Sequence, residues 1–211
     1  AYHLAAEVNG RLGVALATPI YYEAGNRFRE MNDMFENYAE KNPDDSRIEN
    51  LMSVGRALEL SRNTAVAIHG FSENSPMTKL NLDYYIETAL AHPAPESSQY
   101  HLNLGRLNAL ASRNKYNQEK REEFLGKTDE HIDRALILAA DGGVNTRAYL
   151  NTVLLSMHAM HQLNRTERLD SIVEGALSRP EVNDYVRKSI SDYQARLKSI
   201  REAEAAKNLS S

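Results

Sequence analysis

The sequence predicts an all-α fold, an α-solenoid of about four helix-turn-helix repeats closed by a C-terminal capping helix. Three observations predict it. Apolar residues recur at the three-to-four spacing of one helical face, while the period-2 alternation of a half-buried strand is hard to find. Each apolar segment ends at a Gly or Pro breaker. The segment ends also align with one another about every 40–50 residues, a period that marks stacked supersecondary units.

Residues 2–17 form the first predicted helix. In a helix over 20–41, Phe28, Met31, Met34, Phe35, Tyr38 and Ala39 share one face, and Asn42-Pro43-Asp44-Asp45 closes it. A helix over 46–62 follows. The next, over 76–91, carries Leu82, Tyr85, Ile86, Ala89 and Leu90 and stops at His92-Pro93-Ala94-Pro95. Then come 97–112 and 120–140, the latter with Ile132, Ala135, Leu136 and Ala139 before Asp141-Gly142-Gly143. A helix over 146–163 precedes one over 166–178, where Leu169, Ile172, Val173, Ala176 and Leu177 lead to Arg179-Pro180. The last, over 181–206, has Val182, Tyr185, Val186, Ile190, Tyr193, Leu197 and Ile200 on one face and charges on the other, as a solenoid cap requires. The whole chain, 1–211, reads as one domain with units at about 2–43, 46–93, 97–142 and 146–180 and a cap at 181–206. Thr64 to Ser75 and Asn114 to Glu122 are expected to be longer connections.

Two landmarks carry the repeat. Tyr38-Ala39 to Pro43, Thr88-Ala89 to Pro93 and Gly175-Ala176 to Pro180 share one spacing, and Ala135 takes the same place in the third copy. Residues 46–63 (SRIENLMSVGRALELSRN) and 97–114 (SSQYHLNLGRLNALASRN) both hold Gly-Arg at one place and both end Ser-Arg-Asn. Ser46 and Ser97 or Ser98 are expected to be N-caps.

These residues resemble tetratricopeptide (TPR)-type repeats, which place Leu-Gly on the first helix and a small Ala late on the second, with Pro soon after. Leu104-Gly105 with Ala135, and Val54-Gly55 with Ala89 and Pro93, fit with insertions. Met157 with Ala176 and Pro180 fits with Met in place of the Gly, and residues 164–169 look like the inter-helix turn. The resemblance covers about 20–180. The units exceed the family's length, and the large-residue position is weak. It implies a protein-interaction scaffold that is not itself an enzyme. A narrower resemblance, carried by the degenerate repeats, Asn42-Pro43-Asp44 and His92-Pro93, is to the soluble C-terminal regions of bacterial O-antigen polymerases and O-oligosaccharyltransferases. That one implies a periplasmic accessory domain of a membrane glycan polymerase or ligase.

The composition is that of a globular chain, with 42% hydrophobic and 26% charged residues and a net charge of −4. A general nucleic-acid binder needs a clustered basic surface, so no nucleic-acid partner is expected. The chain has no Cys, which excludes disulfides, thiolate nucleophiles and Cys-based metal sites. It has no apolar run near the roughly 18 residues of a span, so no direct membrane insertion is expected. It begins Ala1-Tyr2-His3 without Met and reads as a piece of a longer protein, with room for an upstream membrane domain. The compartment stays open, with periplasm favoured over cytoplasm through the second resemblance.

Phosphate-binding glycine loops, the nucleophile elbow and the zinc motif H-E-x-x-H are missing. His158 and His161 share a helical face and could reach one metal ion, but sequence offers no third ligand, so polar lining of the array is the preferred reading and no metal or other cofactor is expected. Asp44-Asp45, Glu122-Glu123 and Asp129-Glu130 are paired carboxylates read as caps or solvated helix faces, and Lys115 to Glu123 as an exposed charged stretch. One Tyr of each doublet, Tyr21-Tyr22 and Tyr84-Tyr85, is expected in the core and the other in solvent.

The row that matters most is Arg56, Arg106 and His158. Each falls one residue after the Gly or Met landmark of a first helix, and in a TPR-like array that position faces the concave groove. Glu59 and His161 lie one turn further along. Arg grips carboxylates through two parallel hydrogen bonds and is common at binding hot spots. The expectation is a peptide or protein partner held in the groove by Arg56, Arg106, His158, Glu59 and His161. The bland alternative is that these arginines pair with acidic neighbours inside the array.

Overall fold

The structure is a computed structural model that describes residues 20–44, 46–94 and 96–209. Among them the regular elements are all helical. They are α1 (Ile20–Lys41), α2 (Ser46–His69), α3 (Pro76–Ala91), α4 (Ser98–Arg113), a 3-10 segment (Lys115–Lys120), α5 (Arg121–Asp141), α6 (Arg147–Gln162), α7 (Thr166–Leu177) and α8 (Asp184–Leu209). The helix expected over 2–17 lies outside the described residues, as do the side chains of Tyr21, Tyr22, Phe28, Met31 and Ser46.

The caps explain where the helices start and stop. Ser75, Ser97 and Thr146 each turn a side-chain oxygen to the backbone N–H three residues on, at 3.2, 3.1 and 3.2 Å, satisfying a donor that the first turn leaves orphaned. Asn183 caps α8 in the same way, accepting from the Val186 N–H at 2.9 Å, so that helix begins after 183, later than the expected 181. Gly143 ends the turn after α5 at φ 109°, a region closed to most side chains. At the end of α6, Asn164 sits in the left-handed region at φ 56°. The Arg165 N–H donates to the Met160 carbonyl and the Asn164 N–H to the His161 carbonyl, the paired bonds of a Schellman C-terminus.

The last helix also ends at Leu209, past the expected 206, and a larger shift occurs earlier in the chain. The helix expected over 46–62 runs on to His69, because residues 64–68 (TAVAI) continue the apolar pattern and bury Ala67, and the chain breaks at Gly70 instead. The two connections then bind each other. Lys115 N–H donates to the Glu73 carbonyl at 2.9 Å, and Asn114, fully buried, donates from Nδ2 to the carbonyls of Ser72 (3.2 Å) and Ser75 (3.1 Å). Arg113 pairs with Glu73 and stacks over the Phe71 ring, 5.0 Å from its centroid.

Each helix packs on its neighbour in the chain. In addition α2 packs on α4, α4 on α6 and α6 on α8, so the even-numbered helices form one layer in succession. Two apolar clusters lie in series along it. One joins Leu60, Leu82, Ile86, Leu104, Leu107 and Phe124, and the other joins Ile132, Val153, Met157, Leu169, Ile190 and Leu197. The α4–α5 pairing is the most extensive. Gly105 permits it: a Cβ there would stand 2.9 Å from Ile132 Cγ1, inside van der Waals contact. Ile132 and Ala135, on the facing side of α5, are fully buried.

Candidate partner-binding site

The residues expected to face a partner fall into two groups. Arg56 and Glu59 project from α2 into a cleft of about 380 Å³ between α1 and α3, lined also by Asp33, Glu36, Tyr84 and Glu87. Arg56 Nη2 lies 3.5 Å from Glu36 Oε1, and Glu59 accepts a hydrogen bond from Asn32 Nδ2 at 2.7 Å. His92 Nδ1 comes within 3.7 Å of the same Glu36 oxygen. Four carboxylates against one guanidinium make this cleft acidic, and Arg56 already has a carboxylate at hand.

Arg106 and His158 form the second group, on α4 and α6, with Tyr193 of α8. Tyr193 Oη and His158 Nδ1 share a hydrogen bond of 3.2 Å. The charges that act on His158 are those of Arg106, His161 and Arg113, all positive or potentially so. Burial and those cations hold its imidazole below the usual histidine range, so it is neutral at physiological pH. Burial also lowers the Arg106 guanidinium and raises the Tyr193 phenol, which therefore stays protonated. His161, one turn along α6, keeps Nδ1 buried and without a hydrogen-bond partner.

Arg106 differs from its peers. Arg56, Arg113, Arg165 and Arg168 have carboxylates, Arg201 has the Thr166 hydroxyl, and Arg187 forks onto the carbonyls of Leu177, Arg179 and Val182. Among the described residues, Arg106 is the one partly buried arginine with no such acceptor. Five donors in a fixed fork are left there without a protein partner.

The other chemistry-bearing residues resolve into structural roles. Glu122 and Glu123 stand exposed in the first turn of α5, where the helix dipole favours them. Asp129 is no solvated face. It receives both of its 2.7 Å contacts from Arg165 Nη1 and lies 3.6 Å from Arg168, fastening α5 to the start of α7. His101 and His131 touch across α4 and α5 with Nδ1 to Nδ1 at 3.0 Å, which requires one ring to donate and the other to accept. Tyr84 is exposed and Tyr85 packs on the core, as expected of that doublet. No group of three metal-ligating side chains occurs among the described residues, and no helix there is long and apolar enough to cross a membrane. Tyr193 was legible only as one member of the apolar stripe of the last helix; nothing in its spacing announces that the hydroxyl reaches back to α6. No family model, curated protein or solved structure matches the chain.

Proposed function

We propose that this chain is a non-catalytic scaffold of TPR-like solenoid kind that holds a peptide or protein partner against the layer formed by α2, α4, α6 and α8. The observation that carries the reading is Arg106, a partly buried guanidinium without an acceptor, set beside His158 and Tyr193. Burying an unpaired charge costs stability. A chain that keeps such a group gains from it elsewhere, and a partner's acceptor would complete it. The serial packing of alternate helices and the two apolar clusters in file support the solenoid part of the reading. Arg56 has a smaller part in this version, since Glu36 occupies it.

The test compares captured proteins from the source organism using the chain itself, Arg106→Glu and Arg56→Glu, with circular dichroism to confirm folding. A partner retained by the chain and by Arg56→Glu but lost from folded Arg106→Glu supports the reading. A set of captured proteins identical for all three removes Arg106 from it.

A further inference from the structure

We propose that the group formed by Arg106, Tyr193 and His158, with His161 one turn along, receives a carboxylate from the partner. This rests on the scaffold reading and names the chemistry that the reading leaves open. The sign follows from the charges present. Arg106, Arg196 and Arg201 act on this group and its two histidines, Arg113 acts on His158 more weakly and is itself paired with Glu73, and the one carboxylate among those acting on them is Glu204, which reaches His161 alone. The chain as a whole is acidic at −4, so this is a local reversal of sign.

The donor set favours a carboxylate over a phosphate. All four residues sit inside helices rather than at an N-terminus, so the backbone lends no cradle of N–H groups. What remains is one planar fork, one phenol and neutral imidazoles. A guanidinium meets two carboxylate oxygens with two parallel bonds, and the phenol supplies a third donor. The bond between Tyr193 and His158 holds the phenol in place, and in the tautomer in which His158 donates from Nδ1 the Tyr193 proton is free for the ligand. A phosphate dianion would need more charge and more donors than these.

The carboxylate could be an Asp or Glu side chain or a chain terminus. The experiment is an NMR titration of the full chain carrying 15N-arginine, with the Arg106 Nε–H signal assigned by its loss in Arg106→Lys. Four probes are used: N-acetylglutamate α-amide for a side chain, N-acetylglycine for a chain end, N-acetylglutamine amide as the uncharged match, and inorganic phosphate. The expected result is a saturable shift with at least one carboxylate, none with the amide, and roughly tenfold weaker binding in Tyr193→Phe. The tighter of the two carboxylates identifies its source. Phosphate binding more tightly than both carboxylates, or an amide as effective as its acid, overturns the proposal. So does an Arg106 signal that no probe moves. If partner capture still depends on Arg106 in those cases, the scaffold reading stands and only the carboxylate falls. If capture does not depend on it either, both fall.

Discussion

Glycine 105 shows how much one missing methyl group decides. It lets α4 and α5 close to a distance at which a Cβ would overlap Ile132, and Ile132 is fully enclosed and has nowhere to move. Gly105→Ala gains the helix propensity of alanine, about 1 kcal/mol, but forces this contact apart, at about 1–3 kcal/mol. The expected outcome is a less stable chain, read as a lower urea midpoint. Gly126, on the same α5, has open space around its Cβ position. Gly126→Ala should stabilise the chain by up to about 1 kcal/mol, read as a higher urea midpoint. Gly105 was legible in the sequence as a landmark shared with Gly55, because close helix packing demands a small residue at a fixed place. The missing acceptor at Arg106 was not legible, since it depends on which side chains of α8 arrive, and on which do not.

Helices were the most legible scale, and local chemistry is the reason. Ser97, Thr146 and the Gly and Pro breakers act within a few residues, so spacing alone locates α1, α3, α4, α5, α6 and α7 closely. Ser97→Ala should cost about 1 kcal/mol, measured by thermal unfolding, through loss of the bond to the Tyr100 N–H. The two Ser-Arg-Asn sequences mark where such reading stops. Asn114 ends α4, with polar residues after it, whereas Asn63 lies inside α2, buried, with apolar residues after it. The matched sequences hid unlike outcomes. The sequence also gave no sign that the connections after α2 and α4 would be tied together by Asn114. Asn114→Ala removes two side-chain donations to carbonyls and one acceptance from the Tyr116 N–H. At about 1 kcal/mol per bond, a loss of about 2–4 kcal/mol is expected. Proteolysis should then begin in residues 70–75 and 114–120, whereas a cut elsewhere would show that the tie matters little.

The whole molecule couples these pieces through burial, and its histidines report the coupling. His101, His131, His158 and His161 all lie below the usual imidazole range, each chiefly because burial disfavours the charged form. The unfolded chain therefore takes up these protons near pH 6.5, while the folded chain waits for lower pH. Stability is fully present above about 6.5 and falls as pH drops below it toward the folded values. Urea midpoints should decline between pH 7 and 5, and His131→Phe, which removes one of the His101–His131 pair, should flatten that decline. A midpoint constant across this range would contradict the burial of these rings. The serial clusters and the even-helix layer leave the central claim on Arg106: it is kept for a partner and not for the fold. The direct measurement is the unfolding free energy of Arg106→Met beside Arg187→Met. Met fills similar space without a charge, so Arg106→Met is expected to equal or exceed the parent by about 1 kcal/mol. Arg187→Met, which removes the guanidinium donations to the carbonyls of Leu177, Arg179 and Val182, should lose about 2–4 kcal/mol. A loss in Arg106→Met as large as that in Arg187→Met would mean that Arg106 holds the fold together, and would contradict the account.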